Sequence, residues 1–167
     1  MRYFIGLGAN LGDRLTTLRE AARRIEAMGT LLARSRVFAA SPVGGPPQPP
    51  FLNAAVLLDC ALTPLDLLAR TQEIEDAFGR DRQSEVRWGP RLLDIDILMA
   101  GTRGELIVDA PNLRLPHPRL QERGFAIAPL LDLDATLLHP ELMRPLKALC
   151  APAQAAGQAW APTGDAL

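Results

Sequence analysis

Residues 87–99 have the sequence Arg-Trp-Gly-Pro-Arg-Leu-Leu-Asp-Ile-Asp-Ile-Leu-Met. From residue 92 onward the side chains alternate with the period of two that is typical of a β-strand. The alternation gives the strand one apolar face, which suits a protein core, and places Asp94 and Asp96 together on the other face. Residues i and i+2 of a strand lie about 6–7 Å apart, so the two carboxylates point the same way from neighbouring positions.

The carboxylate pair is a candidate magnesium site. Unpaired, two adjacent carboxylates repel each other, and a divalent cation that prefers hard oxygen ligands removes the repulsion. An isolated Asp-x-Asp pair is more often two solvated side chains, but here a loop rich in arginine precedes the strand. Its arginines are Arg80, Arg82, Arg87 and Arg91. Guanidinium groups beside a carboxylate pair favour a magnesium–polyphosphate ligand.

Length and composition indicate one globular domain. The chain has 167 residues, 48% of them hydrophobic and 22% charged, with a net charge of −1. This charge balance argues against nucleic-acid or anionic-membrane partners, and two distant cysteines without metal spacing fit a reduced compartment. Since we find no secretory signal and no long apolar run, we expect a cytoplasmic protein. We also expect it to be a monomer. We expect the domain to span residues 1–150, followed by a loosely ordered tail, rich in Ala, Pro and Gly, over residues 151–167.

The predicted elements follow the order β-α-β-β-α-β. Strands are predicted over residues 2–7, 31–39, 51–60, 92–99 and 105–108, and helices over residues 15–25, 64–78, 123–133 and 144–150. The order predicts an α+β ferredoxin-like sandwich, an antiparallel sheet with helices packed on one face and an extra C-terminal hairpin and helices. A doubly wound parallel sheet fits less well, because a proline-rich loop over residues 41–50, and not a helix, joins the second and third strands.

Four further polar residues are candidate ligand groups. Asn53 is an amide among apolar strand residues, which is usually a satisfied structural amide. Gln72 and Glu75 lie one helical turn apart, and on their own they would be interpreted as a solvated flank. His117 lies between two prolines, which hold its backbone rigid and suit a ligand group better than a core position.

Residues 87–97 resemble the signature of the 6-hydroxymethyl-7,8-dihydropterin pyrophosphokinases (2-amino-4-hydroxy-6-hydroxymethyldihydropteridine diphosphokinases) of the folate pathway. Other stretches resemble further sequence motifs of the family and occur in the same order along the chain, at residues 7–12, 51–55, 72–75, 79–80, 116–117 and 123–125. The resemblance covers residues 2–150. It implies a transferase of the kinase class that carries pyrophosphate from ATP to the hydroxymethyl group of a reduced pterin, releases AMP and uses two Mg²⁺ ions.

The resemblance also implies roles for individual residues. It makes Asp94 and Asp96 the ligands of both magnesium ions. It implies a pterin pocket in which Asn53 pairs with the ring edge between two stacked phenylalanines, formed by Pro42, Val43, Phe51, Asn53 and Phe125. It places around ATP the residues Gln72, Glu75, Arg82, Arg87, Trp88, Arg91, His117 and Arg123, and assigns the transfer step to Arg80, Arg91 and His117. These roles are consistent with the chemistry of a flat ring and a triphosphate.

Two other readings of the residues stay open. A nucleotidyltransferase also holds magnesium on a carboxylate pair, although its usual Gly-Ser loop is absent before these carboxylates. A non-catalytic ferredoxin-like ligand-binding domain explains the fold but not the arginine loop. Titration with ATP, with and without magnesium, followed by a test for ATP consumption when pterin is added, separates these alternatives.

Overall fold

The computed structural model describes residues 1–80 and 89–167. Its strands are β1 (Arg2–Ala9), β2 (Thr30–Arg34), β3 (Arg36–Ala40), β4 (Phe51–Asp59), β5 (Asp94–Ala100), β6 (Val108–Ala110), β7 (Leu113–Leu115), β8 (Leu138–His139), β9 (Arg144–Pro145) and β10 (Trp160–Ala166). Its α-helices are α1 (Arg14–Glu26), α2 (Pro64–Ala77), α3 (Gly124–Leu133) and α4 (Lys147–Ala155), with a 3₁₀ turn at Leu120–Glu122. Within these described ranges, no helix is both long and apolar enough to cross a lipid bilayer.

The central sheet is antiparallel and has six strands. Five of them follow the order β10-β3-β4-β1-β5, and β2 pairs with β4 beyond the end of β3. The predicted strand over residues 31–39 is therefore two strands, β2 and β3, which are separated at Ser35. The buried Ser35 Oγ accepts a hydrogen bond from Ala55 N at 2.8 Å, so it takes the place of a ladder bond at the break.

Helices pack on both faces of the sheet, which corrects the expectation that they cover one face. On one face, Leu18 and Ile25 of α1 and Leu67 of α2 pack in one apolar cluster with the odd-numbered residues of β1. On the other face, Ile127 of α3 belongs to a second cluster, which is completed by Phe4, Ala55, Leu98, Met99, Leu120, Leu130, Leu137, Leu146 and Leu149. The prediction of an α+β antiparallel sandwich is confirmed. The sandwich has three layers, with the sheet between two layers of helices.

The first two helices begin where the sequence predicts. Asp13 caps α1, since its carboxylate accepts a hydrogen bond from Thr16 N at 3.2 Å. Thr63 caps α2 in the same way through Asp66 N, also at 3.2 Å, and Pro64 follows as the first helical residue. These side chains satisfy amide groups that have no partner inside the helix.

The connection after β5 differs from the predicted hairpin. Leu106 forms an isolated bridge to Ala100, and the chain then turns back as the small ribbon of β6 and β7. The ribbon leads into the cis peptide bond between Leu115 and Pro116, after which His117 N donates a hydrogen bond to Leu98 O at 2.8 Å. His117 is thereby fastened to the edge of β5.

The segment 151–167 contains regular secondary structure, which its composition did not predict; the expectation of a loosely ordered tail stays a prediction. Its first residues complete α4, and β10 pairs with β3 at the edge of the sheet, with Trp160 opposite Ala40. Arg19 of α1 donates two hydrogen bonds to Ala166 O, at 3.1 and 2.8 Å. The available edge of β3 supplies backbone partners that the composition of the segment does not reveal.

Candidate active site

Asn53, Gly8 and Asp94 form a row across three neighbouring strands. Gly8 of β1 lies opposite Asn53 of β4 on one side and opposite Asp94 of β5 on the other. Residues that lie directly opposite each other in a sheet share a face, so the amide and the carboxylate flank a position without a side chain. A Cβ atom at Gly8 would lie 3.3 Å from Asn53 Oδ1. The glycine therefore leaves an open floor between the two polar groups.

The next step along β1 repeats this arrangement. Gly6 lies opposite Asp96, and a Cβ atom at Gly6 would lie 2.9 Å from Leu98 Cδ1. The sequence analysis did not identify either glycine as a site residue. The signal that could have found them is a Gly-x-Gly pair with the period of a strand, in line with the Asp-x-Asp pair of β5.

A pocket of about 110 Å³ opens above the row. Four of the residues predicted for the pterin line it together, namely Val43, Phe51, Asn53 and Phe125. The remaining lining residues are Gly8, Ala40, Ser41, Gln48, Gly89, Arg91, Asp94 and Arg123. Pro42, also predicted, lies between two lining residues of the chain. The pocket thus joins an aromatic region to a charged one.

Asn53 presents an unused donor to this pocket. The side chain is buried, and its Nδ2 atom has no hydrogen-bond partner within the described residues. Buried amide groups are almost always paired in folded proteins, so an unpaired one that lines a cavity indicates a ligand that carries an acceptor. This observation supports a ligand site over the structural amide that an isolated asparagine usually is.

Two arginines hold the Asp94 carboxylate. Arg80 Nη1 and Arg91 Nη1 both donate to Asp94 Oδ1, at 3.0 and 2.9 Å. The two guanidinium groups approach from the described ends of the arginine loop, residue 80 after α2 and residue 91 before β5. The structure therefore brings together three of the predicted site residues.

Asp96 has its own pair of basic neighbours. Arg123 Nη1 donates to Asp96 Oδ2 at 2.6 Å, and His117 Nε2 lies 4.0 Å from Asp96 Oδ1. Burial and the neighbouring charge of Asp94 raise the pKa of the Asp96 carboxyl, against the opposing effect of Arg123 and His117. Ionisation of Asp96 next to Asp94 therefore costs free energy, and a cation bound between the two carboxylates would lower that cost.

His117 faces this carboxylate as a neutral ring. Its Nδ1 atom accepts a hydrogen bond from Arg119 N at 3.1 Å, which leaves the proton of the neutral ring on Nε2, toward Asp96. Burial lowers the pKa of His117, and the charge of Asp96 opposes that shift. The histidine can thus donate one hydrogen bond into the site.

Glu75 has a supporting position behind the site. The residue is buried, and its Oε1 atom accepts hydrogen bonds from Ile95 N, at 2.8 Å, and from the Arg80 guanidinium. It therefore links α2 to the strand that carries both aspartates. Gln72, one turn earlier, lies on the exposed side of α2.

Asn10 connects two segments around the pocket, a role that the sequence analysis interpreted only as turn chemistry. Its Oδ1 atom accepts from Arg91 N at 2.8 Å, while Nδ2 donates to Gln48 Oε1 at 2.9 Å and to Pro49 O at 3.1 Å. The side chain is almost completely buried. It thereby fixes the start of the carboxylate strand to the proline-rich loop.

The carboxylate oxygens of Asp94 and Asp96 suit magnesium, although two carboxylates alone do not complete the coordination shell of the ion. Asp94 and Asp96 offer hard carboxylate oxygens on one face, and within residues 1–80 and 89–167 no group of three or more acidic, histidine or cysteine side chains could hold a metal ion. Magnesium commonly takes one or two carboxylates and completes its shell with water and substrate phosphate, so the pair fits such an ion. Three predicted ATP-binding residues, Arg82, Arg87 and Trp88, lie outside the described residues.

The fold and the site together define a class of protein. An aromatic pocket with an amide donor adjoins a carboxylate pair surrounded by arginine, and this combination suits an enzyme that transfers phosphate groups to a flat ring compound. The family model for 7,8-dihydro-6-hydroxymethylpterin-pyrophosphokinase matches residues 4–135, and the chain belongs to this family.

Curated relatives agree with the family match. The 2-amino-4-hydroxy-6-hydroxymethyldihydropteridine pyrophosphokinase of Bacillus subtilis (strain 168) is 42% identical over 132 residues, which cover 78% of this chain and 76% of the relative. The protein of the same name from Pseudomonas aeruginosa is 39% identical over 142 residues, which cover 84% and 85%. As a member of the family, the chain transfers pyrophosphate from ATP to hydroxymethyldihydropterin in folate biosynthesis, as a kinase of a kind that generally requires Mg²⁺.

Solved structures support the fold. The wild-type HPPK-DHPS of Plasmodium falciparum, solved with pterin and p-hydroxybenzoate, superposes with a TM-score of 0.70 at 14% identity and covers 93% of this chain. A second HPPK-DHPS structure, in complex with substrates, has a TM-score of 0.67 at 12% identity. In both comparisons this chain spans 43% of the other chain, so it corresponds to less than half of those proteins.

Proposed function

We propose that the pocket above the row of Asn53, Gly8 and Asp94 binds the pterin, and that the adjoining cluster of carboxylates and arginines binds ATP with magnesium. The observation that carries the proposal is the register of the three strands, which places an unpaired amide and a carboxylate on either side of a glycine. Asp94 lines the pocket and also pairs with Arg91, so the two substrate regions share a residue.

The pterin role follows from the chemistry of the lining residues. The Nδ2 atom of Asn53 donates to an acceptor on the pterin edge, while Phe51 and Phe125 stack on the two faces of the ring. Gly8 lets the ring approach the sheet closely, because a side chain there would occupy the floor of the pocket. Pro42 and Val43 close the pocket from the proline-rich loop.

The triphosphate role rests on the basic groups around the carboxylates. Arg91, Arg123 and His117 now face Asp94 and Asp96, and they are placed to donate to phosphate oxygens when these displace the carboxylates as partners. Glu75 on α2 supports this region through its hydrogen bonds with Ile95 N and Arg80. The ATP-binding roles of Gln72, Arg82, Arg87 and Trp88 stay predictions from the sequence. Two magnesium ions held by Asp94 and Asp96 would neutralise the phosphate charge and hold the polyphosphate in place.

The reaction needs positioning and charge more than proton abstraction. The hydroxymethyl oxygen of the pterin attacks the β-phosphorus of ATP and loses its proton to solvent, the bond from that phosphorus to the α–β bridging oxygen breaks, and AMP leaves. Arg80 and Arg91 meet the growing negative charge, and the neutral His117 donates from Nε2. Asp96 is a weak candidate for a base, since its carboxylate is engaged by Arg123 and is proposed as a metal ligand.

The bond that breaks can be identified with labelled ATP. With the label on the γ-phosphate and the reduced hydroxymethylpterin as acceptor, we expect label in the pterin product and an equal amount of AMP. An analogue with methylene between the α and β phosphorus atoms should bind without reacting. Formation of ADP would indicate an ordinary kinase, and release of pyrophosphate a nucleotidyltransferase, and either result would refute the proposal.

We also propose that the enzyme acts as a cytoplasmic monomer. The support is that a single chain brings together both the residues proposed for the pterin and the carboxylate pair. Light scattering after size-exclusion chromatography tests the proposal, since a mass of about 18.1 kDa is expected and a mass near twice that value would contradict it.

A further inference from the structure

We propose that two residues of the C-terminal segment, Gln158 and Trp160, are positioning residues for the pterin pocket. They hold the segment Arg123-Gly124-Phe125, which supplies both an aromatic wall of the pocket and the arginine that bonds Asp96. The inference rests on the proposed pterin site. It concerns residues that lie beyond the stretch matched by the family model, which ends at residue 135.

Gln158 caps the helix that carries Phe125. α3 begins at Gly124, and the residue at its N-cap, Arg123, has only donors in its side chain and directs them to Asp96. The first amide group of the helix, Gly124 N, donates instead to Gln158 Oε1 at 3.0 Å. The same carboxamide donates through Nε2 to Glu122 O at 2.6 Å. One side chain from the C-terminal segment therefore bonds the backbone on both sides of Arg123.

Trp160 holds the start of α3 by packing against Gly124. A Cβ atom at Gly124 would lie 2.2 Å from Cζ3 and 2.3 Å from Cη2 of the Trp160 ring, so the indole lies directly against the glycine backbone. The Ala153 methyl group of α4 would lie 3.0 Å from the same Cβ position. Since such close approach is open only to glycine, the tryptophan determines how near the start of α3 comes to β10.

The same segment also holds the opposite wall of the pocket. Trp160 pairs with Ala40 in the sheet, and Ser41 N donates to Ala159 O at 3.1 Å. Ala40 and Ser41 both line the pocket and lead into the proline-rich loop. Three consecutive residues, 158–160, are thus bonded to the wall that contains Phe125 and to the wall that contains Ser41. Their position determines the width of the slot between the two walls.

A purely stabilising role would also explain these contacts, and the two roles differ in what a substitution changes. If the segment only adds stability, its loss lowers the melting temperature and leaves the affinity of the folded enzyme for pterin unchanged. If it positions Phe125, its loss weakens pterin binding in the folded state, because the stacking distance is no longer held.

The test compares Gln158→Ala with the control Thr163→Ala in the full chain. Thr163 lies on the same strand as Trp160 and donates through Oγ1 to Val37 O at 3.3 Å, away from the pocket lining. Pterin affinity is measured by calorimetry with the reduced hydroxymethylpterin, alongside melting temperature and the KM values for both substrates. We expect Gln158→Ala to weaken pterin binding about fivefold or more, the equivalent of one lost helix cap, and Thr163→Ala to leave it within about twofold.

Rescue by a conservative variant completes the test. Gln158→Glu keeps the acceptor for Gly124 N at the positive end of the helix but loses the donor to Glu122 O, so it should recover only part of the pterin affinity that Gln158→Ala loses. Equal pterin affinity in wild type and Gln158→Ala would overturn the inference. If the wild type itself does not bind the pterin, the proposed pterin site fails instead, so the two failures are distinguishable.

A double-mutant cycle tests Trp160 separately. Gly124→Ala alone should weaken pterin binding, because the new methyl group collides with the Trp160 ring and displaces Phe125. In a Trp160→Ala background the indole ring is absent, and the same Gly124→Ala change should reduce pterin affinity clearly less. Additive losses of pterin affinity in the double variant would show that the two residues act independently and would contradict the role given to Trp160.

Discussion

Arg123 donates to Asp96 across 2.6 Å and thereby joins the start of α3 to the strand that carries the carboxylate pair. On the neighbouring position of that strand, Asp94 accepts from Arg80 and Arg91. The arginines therefore neutralise both carboxylates. We proposed these carboxylates as magnesium ligands, and the same arginines lie near the place proposed for phosphate.

The carboxylate pair should be indispensable for turnover but not for folding. Asp94→Asn and Asp96→Asn each remove a proposed metal ligand, which forfeits several kcal/mol of charge stabilisation, so the turnover number should fall by at least about 10³-fold. Both side chains point away from the α1–α2 side of the sheet, so the circular dichroism spectrum should stay unchanged. Near-normal turnover of either variant at ordinary magnesium concentration would refute the role of that residue.

Asn53→Ala should weaken pterin binding without lowering stability. The variant loses the donor proposed to pair with the pterin edge, and we expect its affinity for the pterin to fall about tenfold. Because the Nδ2 atom has no partner within the described residues, its removal should leave the melting temperature unchanged or raised. The matched control is Asn112→Ala, an exposed asparagine after β6. A clear loss of stability in Asn53→Ala, with pterin affinity intact, would make Asn53 a structural amide.

The strand 92–99 could be predicted from the sequence because its evidence is local. Alternation with period two separates the buried side chains of Ile95 and Ile97 from Asp94 and Asp96, and the structure confirms this division. The bulge opposite Phe4 and Ile5 shifts the register near the end of the strand. As a result Met99 packs in the cluster of α3 and not with the other apolar residues of its predicted face.

Features that depend on distant partners could not be predicted. The edge of β3 pairs with a strand, β10, that the composition of the C-terminal segment does not predict, and the positions of Gly6 and Gly8 in the site depend on the strands on either side of β1. The position of Glu75 behind β5 likewise requires the packing of α2 against the sheet. Each of these contacts joins residues that are far apart in the chain, where a periodic pattern carries no information.

Glu75→Gln should lower the stability of the protein more than its affinity for ATP. Glu75 and Arg80 form a largely buried ion pair, and the loss of the Glu75 charge leaves the Arg80 guanidinium with Asp94 as a carboxylate partner in a site of low exposure. We expect the free energy of unfolding to fall by about 1–3 kcal/mol. The control on the same helix is Glu73→Gln, whose ion pair with Arg70 is exposed and should change the free energy by less than about 0.5 kcal/mol. Urea unfolding measures both, and equal stabilities would contradict the supporting role of Glu75.

His139 should make the protein less stable as the solution becomes acidic. The side chain is buried, its Nδ1 atom accepts from Leu142 N at 3.3 Å, and burial lowers its pKa in the folded state. The unfolded chain takes up a proton near the ordinary histidine pKa of about 6.5, whereas the folded chain resists it until a lower pH. The unfolded state therefore binds more protons in this window, and the free energy of unfolding falls as the pH drops below about 6.5.

The measurement that isolates this effect compares the wild type with His139→Asn by urea unfolding between about pH 7.5 and pH 5. Asparagine keeps an oxygen acceptor for Leu142 N but does not titrate, so the variant should lose less stability on acidification than the wild type does. The difference in slope should approach at most one proton, or about 1.4 kcal/mol per pH unit. His117 remains in both proteins, so its own lowered pKa cancels in the comparison. Parallel curves of unfolding free energy against pH would show that His139 takes up its proton equally in the folded and unfolded chains.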